Sequence, residues 1–331
     1  MTLQHIIFEV TSDCNLNCAY CYNHWKRDAS FECLNSYRKA LNVLKRLVTT
    51  TDIAHITFTG GEPFVSERFT ELVLYCRMKG RNVSVITNGN AGKVSDYRDL
   101  ISLGVNVFQL PFLSSYPETH DGLTNVKGSW DKVITSITDI IRLGGYIVPV
   151  IVLTRKNYKD IQQTLAFLND LGLRRIMLNR YNIGGKGTKE DTLSLSKTEI
   201  NHAFEIANRY AETMGLAITS NVCSPHCYIN PALYPNIGFG NCSPDVTFRP
   251  ITVNINGDIR LCNHSPVVAG NIFKESLPQI LSSDYPQQWT AVVPTFCAKC
   301  ELYAKCMGGC RAASEQMGLS LNYADPIVDH L

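Results

Sequence analysis

The amino-acid sequence predicts an α/β fold: a partial (β/α)6 TIM-like barrel followed by a small cysteine-rich α+β domain. Three observations lead there. From residue 5 to about residue 180, apolar runs suited to strands alternate with helical patterns, and such alternation builds parallel strands joined by right-handed crossovers. Six units can be counted, too few for a closed eight-fold barrel, so the barrel is expected to stay open. After Ser220 the chain turns to short strands, turns, prolines and eight cysteines.

In chain order, strands are expected at 5–10, 54–59, 82–87, 105–110, 146–153 and 174–179. Each is a short apolar run bounded by turn residues. Helices are expected between them at about 36–48, 67–79, 94–103, 130–143 and 158–171, where apolar residues recur at helical spacing. The loop 182–195 is rich in glycine and charge. Ser196 with Glu199 then makes a capping box that opens a helix to about Met214. A domain boundary is expected near residue 195, dividing the chain into 1–195 and 196–331. Ligands in folds of this kind sit beyond the carboxyl ends of the strands, so residues just after each strand are the candidates for function.

Composition narrows the class. The chain has 331 residues, 45% of them hydrophobic and 18% charged, which is globular rather than disordered. The net charge of +2 and the absence of a basic run speak against nucleic acid as a partner. The opening MTLQHIIFEV lacks the basic and long apolar regions of a signal peptide, and the most apolar stretch, 146–153, is too short to span a bilayer. A soluble cytoplasmic protein with no membrane partner is the expectation. In that reducing compartment thirteen cysteines, eleven of them clustered, read as metal ligands rather than disulfides. Cys33 and Cys76 stand apart and are expected on helices as buried small hydrophobes.

The first cluster, Cys14, Cys18 and Cys21, directly follows the first strand. A loop there can wrap three thiolates around one face of a cubane and leave one iron open to a small molecule. A zinc site is the plainer alternative. One βα unit later, the second strand ends in Thr59, Gly60, Gly61, Glu62 and Pro63. Two glycines allow close backbone approach, and a carboxyl or carbonyl there can meet an ammonium group.

The CxxxCxxC spacing with this GGEP sequence resembles the radical S-adenosylmethionine (SAM) superfamily. The resemblance implies that the open iron of a [4Fe–4S] cluster binds SAM, that Tyr20 lies near its adenine, and that the Gly60–Gly61–Glu62–Pro63 segment contacts its amino group. It also points to Thr87, Asn88 and Ser114 as polar contacts, and to Arg155 as a partner for the SAM carboxylate. Asn179 and Arg180 close the sixth strand and are expected on the same rim.

The remaining cysteines resemble the SPASM extension of such enzymes. Cys242 is followed by fourteen residues, Gly257, four residues and Cys262; then come Cys297, Cys300, Cys306 and Cys310 at CxxCx5Cx3C spacing. The family's ligand pattern implies one or two auxiliary [4Fe–4S] clusters. Cys242, Cys262 and Cys310, with Cys223 or Cys227, would hold the first; Cys297, Cys300 and Cys306 would hold the second. A terminal cysteine commonly completes the second, but here Val328 stands in its place, leaving Asp325, Asp329 or His330 as substitutes, an open iron, or a lost site. Whichever of Cys223 and Cys227 is not a ligand could return a hydrogen atom to substrate, as an epimerase requires; a spare or structural thiol is the plainer reading.

The resemblance implies an oxidoreductase or maturase. An external donor of flavodoxin or ferredoxin type supplies an electron, SAM is cleaved to a 5′-deoxyadenosyl radical, and that radical abstracts a substrate hydrogen. The expected substrate is a ribosomally made peptide or protein, to be crosslinked, oxidised or epimerised. A small molecule (a sugar, aminocyclitol or tetrapyrrole) that is dehydrogenated, epimerised or decarboxylated is the alternative, and a non-catalytic electron carrier is a different class. With no peptide-recognition domain ahead of the first strand, a separate recognition protein is expected as a partner for a peptide.

Overall fold

A computed structural model describes residues 2–27, 33–189, 191–243, 245 and 248–330. Strand β1 (Thr2–Glu9) leads into helix α1 (Tyr37–Thr50), and strand β2 (Asp52–Thr59) into α2 (Phe69–Met78). Next come β3 (Asn82–Ile86), α3 (Val94–Ser102), β4 (Val107–Pro111), α4 (Pro117–Thr124), α5 (Ser129–Arg142), β5 (Ile147–Leu153), α6 (Ile161–Asp170) and β6 (Arg175–Arg180). All six expected strands are therefore present, in parallel register from β1 through β6. The short helix α4 is an addition that sequence periodicity did not signal; Pro117 starts it and Asn125, with φ of 56°, ends it.

Local chemistry explains these elements. Helix α1 is capped by Ser36, which accepts from Lys39 N–H, and it buries Ala40, Val43, Leu44, Leu47 and Val48 along one face. Helix α5 buries Val133, Ile137 and Ile140 in the same way. The main core lies between such helices and the sheet, with Phe8, Phe58 and Phe108 all fully buried on three strands.

The sheet does not stop at six strands. Helix α7 (Lys197–Met214) opens with the expected Ser196–Glu199 capping box and ends at Gly215, with φ of 65°. It delivers β7 (Ala217–Ser220) beside β6, and β8 (Ile237–Phe239) follows beside β7, both parallel. On the other edge, β9 (Ile251–Asn254) pairs parallel with β1, and β10 (Asp258–Arg260) and β11 (Gly270–Asn271) continue antiparallel. Among the described residues the result is one open sheet of eleven strands whose edges are β11 and β8. Residue 195 falls in the connection between β6 and α7, and the sheet runs across it. The C-terminal segment completes the fold with α8 (Leu277–Leu281), α9 (Asp284–Ala291), α10 (Tyr303–Cys306) and α11 (Arg311–Gln316). Among the described residues no helix is long and apolar enough to cross a membrane.

Cys76 is fully buried on α2, whereas Cys33 is exposed in the segment before α1. The expectation for Cys33 is thus corrected: α1 begins at Tyr37, after Ser36 takes the cap, so Cys33 lies on no helix.

Candidate active site and cysteine centres

The carboxyl ends of the strands carry the chemistry. The loop after β1 holds Cys14, Cys18 and Cys21, whose thiols act on one another: Cys18 is pushed up to about 12 by burial first, then by Cys21. Burial also raises Cys14 and Cys21. Cys14 Sγ receives the Leu16 N–H at 3.4 Å and the Asn88 side-chain amide at 3.8 Å. Donors aimed at sulfur favour a thiolate, which is the form that binds iron. Three converging thiols with such donors fit a cluster that leaves one iron open.

Docking of the second loop onto this one explains the two glycines. Gly61 N–H donates to Thr11 O and Glu62 N–H to Asp13 O, each at 2.7 Å. A Cβ at Gly60 would lie 2.2 Å from Thr11 O, and one at Gly61 only 1.8 Å from Asp13 O. The close approach required of these glycines is therefore to the cysteine loop's own backbone. Glu62 is fully buried; its carboxylate accepts from Thr87 Oγ1 and Asn88 N, both at 2.7 Å, and from Phe64 N at 3.2 Å. Burial raises its pKa to about 7. Glu62 thus braces the end of β2 to the end of β3 and fixes Thr87 and Asn88. Pro63 starts the short turn that follows.

The other sequence candidates fall on the same rim with different surroundings. Tyr20 hydrogen-bonds the Cys18 thiol and packs against the small cluster of Leu113, Leu123, Tyr181, Ile183 and Leu193. Ser114 is buried and donates to Asp160 Oδ2 at 2.7 Å. Arg155 is exposed, and its charge acts on Glu199 at the start of α7. Asn179 Oδ1 accepts from Asn221 N at 2.8 Å. Arg180 is buried and ion-paired with Asp325.

Several rim groups lie beyond what sequence spacing could single out. Asn182 donates to Cys310 Sγ at 3.1 Å, joining the end of β6 to the C-terminal cysteines. Gln316 on α11 donates to Tyr22 O at 2.8 Å and to His264 O at 2.7 Å. At the end of β1, Glu9 is buried against Arg260. An acid closing an apolar strand was the one available signal for Glu9; its partner, 251 residues on, left none. Buried Asn90 Oδ1, Ser115 Oγ, Tyr181 OH, Asn182 Oδ1 and Ser220 Oγ have no hydrogen-bond partner among the described residues. Each lies at or just after a strand's carboxyl end. A cavity of about 310 Å³ opens beside the ends of β1 and β9, lined by Glu9, Thr11, Ser12, Asn254 and Arg260 among others.

The eight C-terminal cysteines gather in two places. Cys223 donates its S–H to Cys242, and its other charge neighbours are Cys310 and Cys262. Cys242 is held low, at about 6, by that hydrogen bond and by Arg249, whose Nη2 lies 2.8 Å from its sulfur. Cys227 instead feels Cys306 and Cys300, and Cys297 feels Cys306, Cys300 and Cys227. Asp325 stands beside Cys310: it accepts from Cys310 N at 2.8 Å and Ile327 N at 3.1 Å as well as pairing with Arg180. Its carboxylate is thereby bonded to Arg180 and to the backbone beside Cys310. Asp329 is exposed, and the His330 side chain lies outside the described residues. Among the described residues no three His, Cys, Asp or Glu side chains are tight enough to hold a single metal ion; a cube of four irons spreads its thiolates wider than one ion does.

Residues 8–168 match the radical SAM superfamily, and residues 242–310 match an iron–sulfur cluster-binding domain, SPASM. The chain is 26% identical to the antilisterial bacteriocin subtilosin biosynthesis protein AlbA of Bacillus subtilis, over 92% of this chain and 66% of that protein. It is 25% identical to the Fe-coproporphyrin III synthase of Methanosarcina barkeri, over 61% of this chain and 50% of the synthase. It thus spans under two thirds of either relative's length. Its fold matches Streptococcus suis SuiB bound to the precursor peptide SuiA, with a TM-score of 0.76 at 17% identity, over 98% of this chain and 76% of SuiB. The chain belongs to the radical SAM superfamily and carries a C-terminal SPASM domain, and these two domains imply a SAM-binding [4Fe–4S] cluster and auxiliary iron–sulfur clusters.

Proposed function

We propose that this chain modifies a ribosomally made peptide or protein by radical SAM chemistry. A [4Fe–4S] cluster held by Cys14, Cys18 and Cys21 would supply the one-electron cleavage of SAM. The observation that carries the reading is the bond from Asn182 to Cys310 Sγ, because it sets the first auxiliary cysteine set at the mouth of the same open barrel. A substrate carbon held at that rim lies between a radical source and an electron acceptor, the pairing that oxidation or crosslinking needs. The partly satisfied rim would position the substrate: Asn90, Ser115 and Ser220 offer polar atoms from three strand ends. Thr87, Asn88, Tyr20 and the backbone of residues 60–62 are proposed for SAM, with Arg155 as its carboxylate partner.

A peptide substrate is favoured by the names of two similar proteins, a bacteriocin biosynthesis protein and one solved with a precursor peptide. The synthase similarity favours a tetrapyrrole instead. A flavodoxin- or ferredoxin-type donor, a separate peptide-recognition protein and a cytoplasmic location complete the proposal. Reconstituted protein, SAM and dithionite should yield 5′-deoxyadenosine above a Cys14→Ala control. Co-expression with short peptides encoded beside the gene should then change a peptide's mass, read by mass spectrometry. Turnover of a tetrapyrrole, with every such peptide unchanged, would overturn the peptide reading.

A further inference from the structure

Val328 leaves the second auxiliary set one cysteine short in the family's usual order, and the fold brings another cysteine to that set. Tyr228 N–H and Ile229 N–H both donate to Pro225 O, at 2.9 and 3.0 Å, closing a helical turn that carries Cys227. This turn packs directly on the segment between Cys306 and Cys310. A Cβ at Gly309 would lie 2.6 Å from the Pro225 ring, and one at Gly308 would lie 3.5 Å from Cys297 Sγ. Both glycines have left-handed φ, +80° and +83°; at Gly309 a side chain would block the approach of Pro225, and at Gly308 the backbone lies in contact range of Cys297. Gly309 N–H also donates to Cys306 O at 3.0 Å, so one tight turn holds Cys306 and Cys297 against the 225–229 turn.

We propose that Cys227 is the fourth thiolate of the second auxiliary iron–sulfur site, joining Cys297, Cys300 and Cys306 in place of a terminal cysteine. The charge relations agree with the geometry. Cys227 is raised by burial and then by Cys306 and Cys300, and Cys297 reciprocally by Cys306, Cys300 and Cys227. The other candidates are spent or displaced: Asp325 is bound to Arg180 beside Cys310, and Val328 is buried in the apolar core. Cys223 belongs with Cys242, Cys262 and Cys310.

The eight C-terminal cysteines then divide four and four. Neither Cys223 nor Cys227 remains a free thiol able to return a hydrogen atom to a substrate radical. The chemistry is thereby directed to oxidation or crosslinking rather than to thiol-dependent epimerisation. The ligand assignment itself is independent of the substrate.

Alkylation mapping of the full chain tests it without any substitution. Apo protein and protein anaerobically loaded with iron and sulfide are treated with iodoacetamide, and each cysteine is read by peptide mass spectrometry. Cys227 should be labelled in the apo form and protected on loading, together with Cys297, Cys300 and Cys306, while exposed Cys33 reacts in both. Labelling of Cys227 in the loaded protein to the extent of Cys33 overturns the proposal. A second measurement uses a variant with Cys14, Cys18 and Cys21 all changed to Ala, which removes SAM chemistry from the readout. It should hold about eight irons, four in each auxiliary site. Adding Cys227→Ala should lower that count by one or more and introduce a three-iron signal in electron paramagnetic resonance. An unchanged count and spectrum would refute the assignment.

Discussion

In the amino-terminal half of β1 and β2, towards the floor of the sheet, His5 and His55 pack edge to face at 5.0 Å, each hydrogen-bonded to a hydroxyl of the next strand. At the carboxyl-terminal end, Cys14, Asn88 and Glu62 form one hydrogen-bonded group and Arg180, Asp325 and Cys310 another that spans 145 residues, and five buried polar atoms have no partner among the described residues. The floor is thus closed between adjacent strands, while the rim also reaches from the strand ends to the C-terminal segment. The difference teaches where tolerance lies. Floor groups act on stability alone, whereas rim groups act on stability and chemistry together.

Experiments can break or sharpen that contrast. The largest effect is expected for Cys14→Ala, which should reduce 5′-deoxyadenosine formation to background while leaving thermal unfolding of the apo protein within about 1 kcal/mol. Asp325→Ala should cost about 3–5 kcal/mol in denaturant unfolding, because it strands a buried Arg180 guanidinium. Equal stability of Asp325→Ala and the unaltered chain would remove the ion pair from the account of the rim.

The floor should declare itself through pH. Burial, followed by the charge of His55, lowers the pKa of His5 from 6.5 to about 4. The unfolded chain therefore binds the proton first, so stability falls as pH drops from about 6.5 towards 4, by about 3 kcal/mol at the lower end. His5→Gln should flatten this part of a pH–stability profile and leave SAM cleavage at neutral pH unchanged. Gly61→Ala is expected to cost about 1–3 kcal/mol by forcing the two rim loops apart, with iron lost from the first site. The smallest effect belongs to Arg155→Ala: a few-fold rise in KM for SAM if it meets the SAM carboxylate, and no change if it serves only Glu199.

Much of this molecule was legible before folding was considered. Period and propensity located the six core strands, because each buries apolar side chains against its immediate flanking helices. Ser196 and Glu199 announced their helix through contacts three residues apart. Cys14, Cys18 and Cys21 could be grouped because one loop carries them all. What stayed hidden were pairings without local cause: β9 beside β1, Glu9 beside Arg260, Gln316 beneath Tyr22. The role of Gly60 and Gly61 was visible as close approach, but not that the cysteine loop itself is what approaches.

The C-terminal cysteines mark the division most clearly. Spacing alone shows that this chain has the thiols for more than one centre, since sulfur chemistry depends on residue type and count. It cannot say how they are shared. Cys223 and Cys227 lie four residues apart, yet their charge neighbours differ: Cys242, Cys310 and Cys262 for Cys223, Cys306 and Cys300 for Cys227. That outcome depends on Gly309 allowing Pro225 to pack against a segment over eighty residues away, a long-range contact that no local pattern encodes.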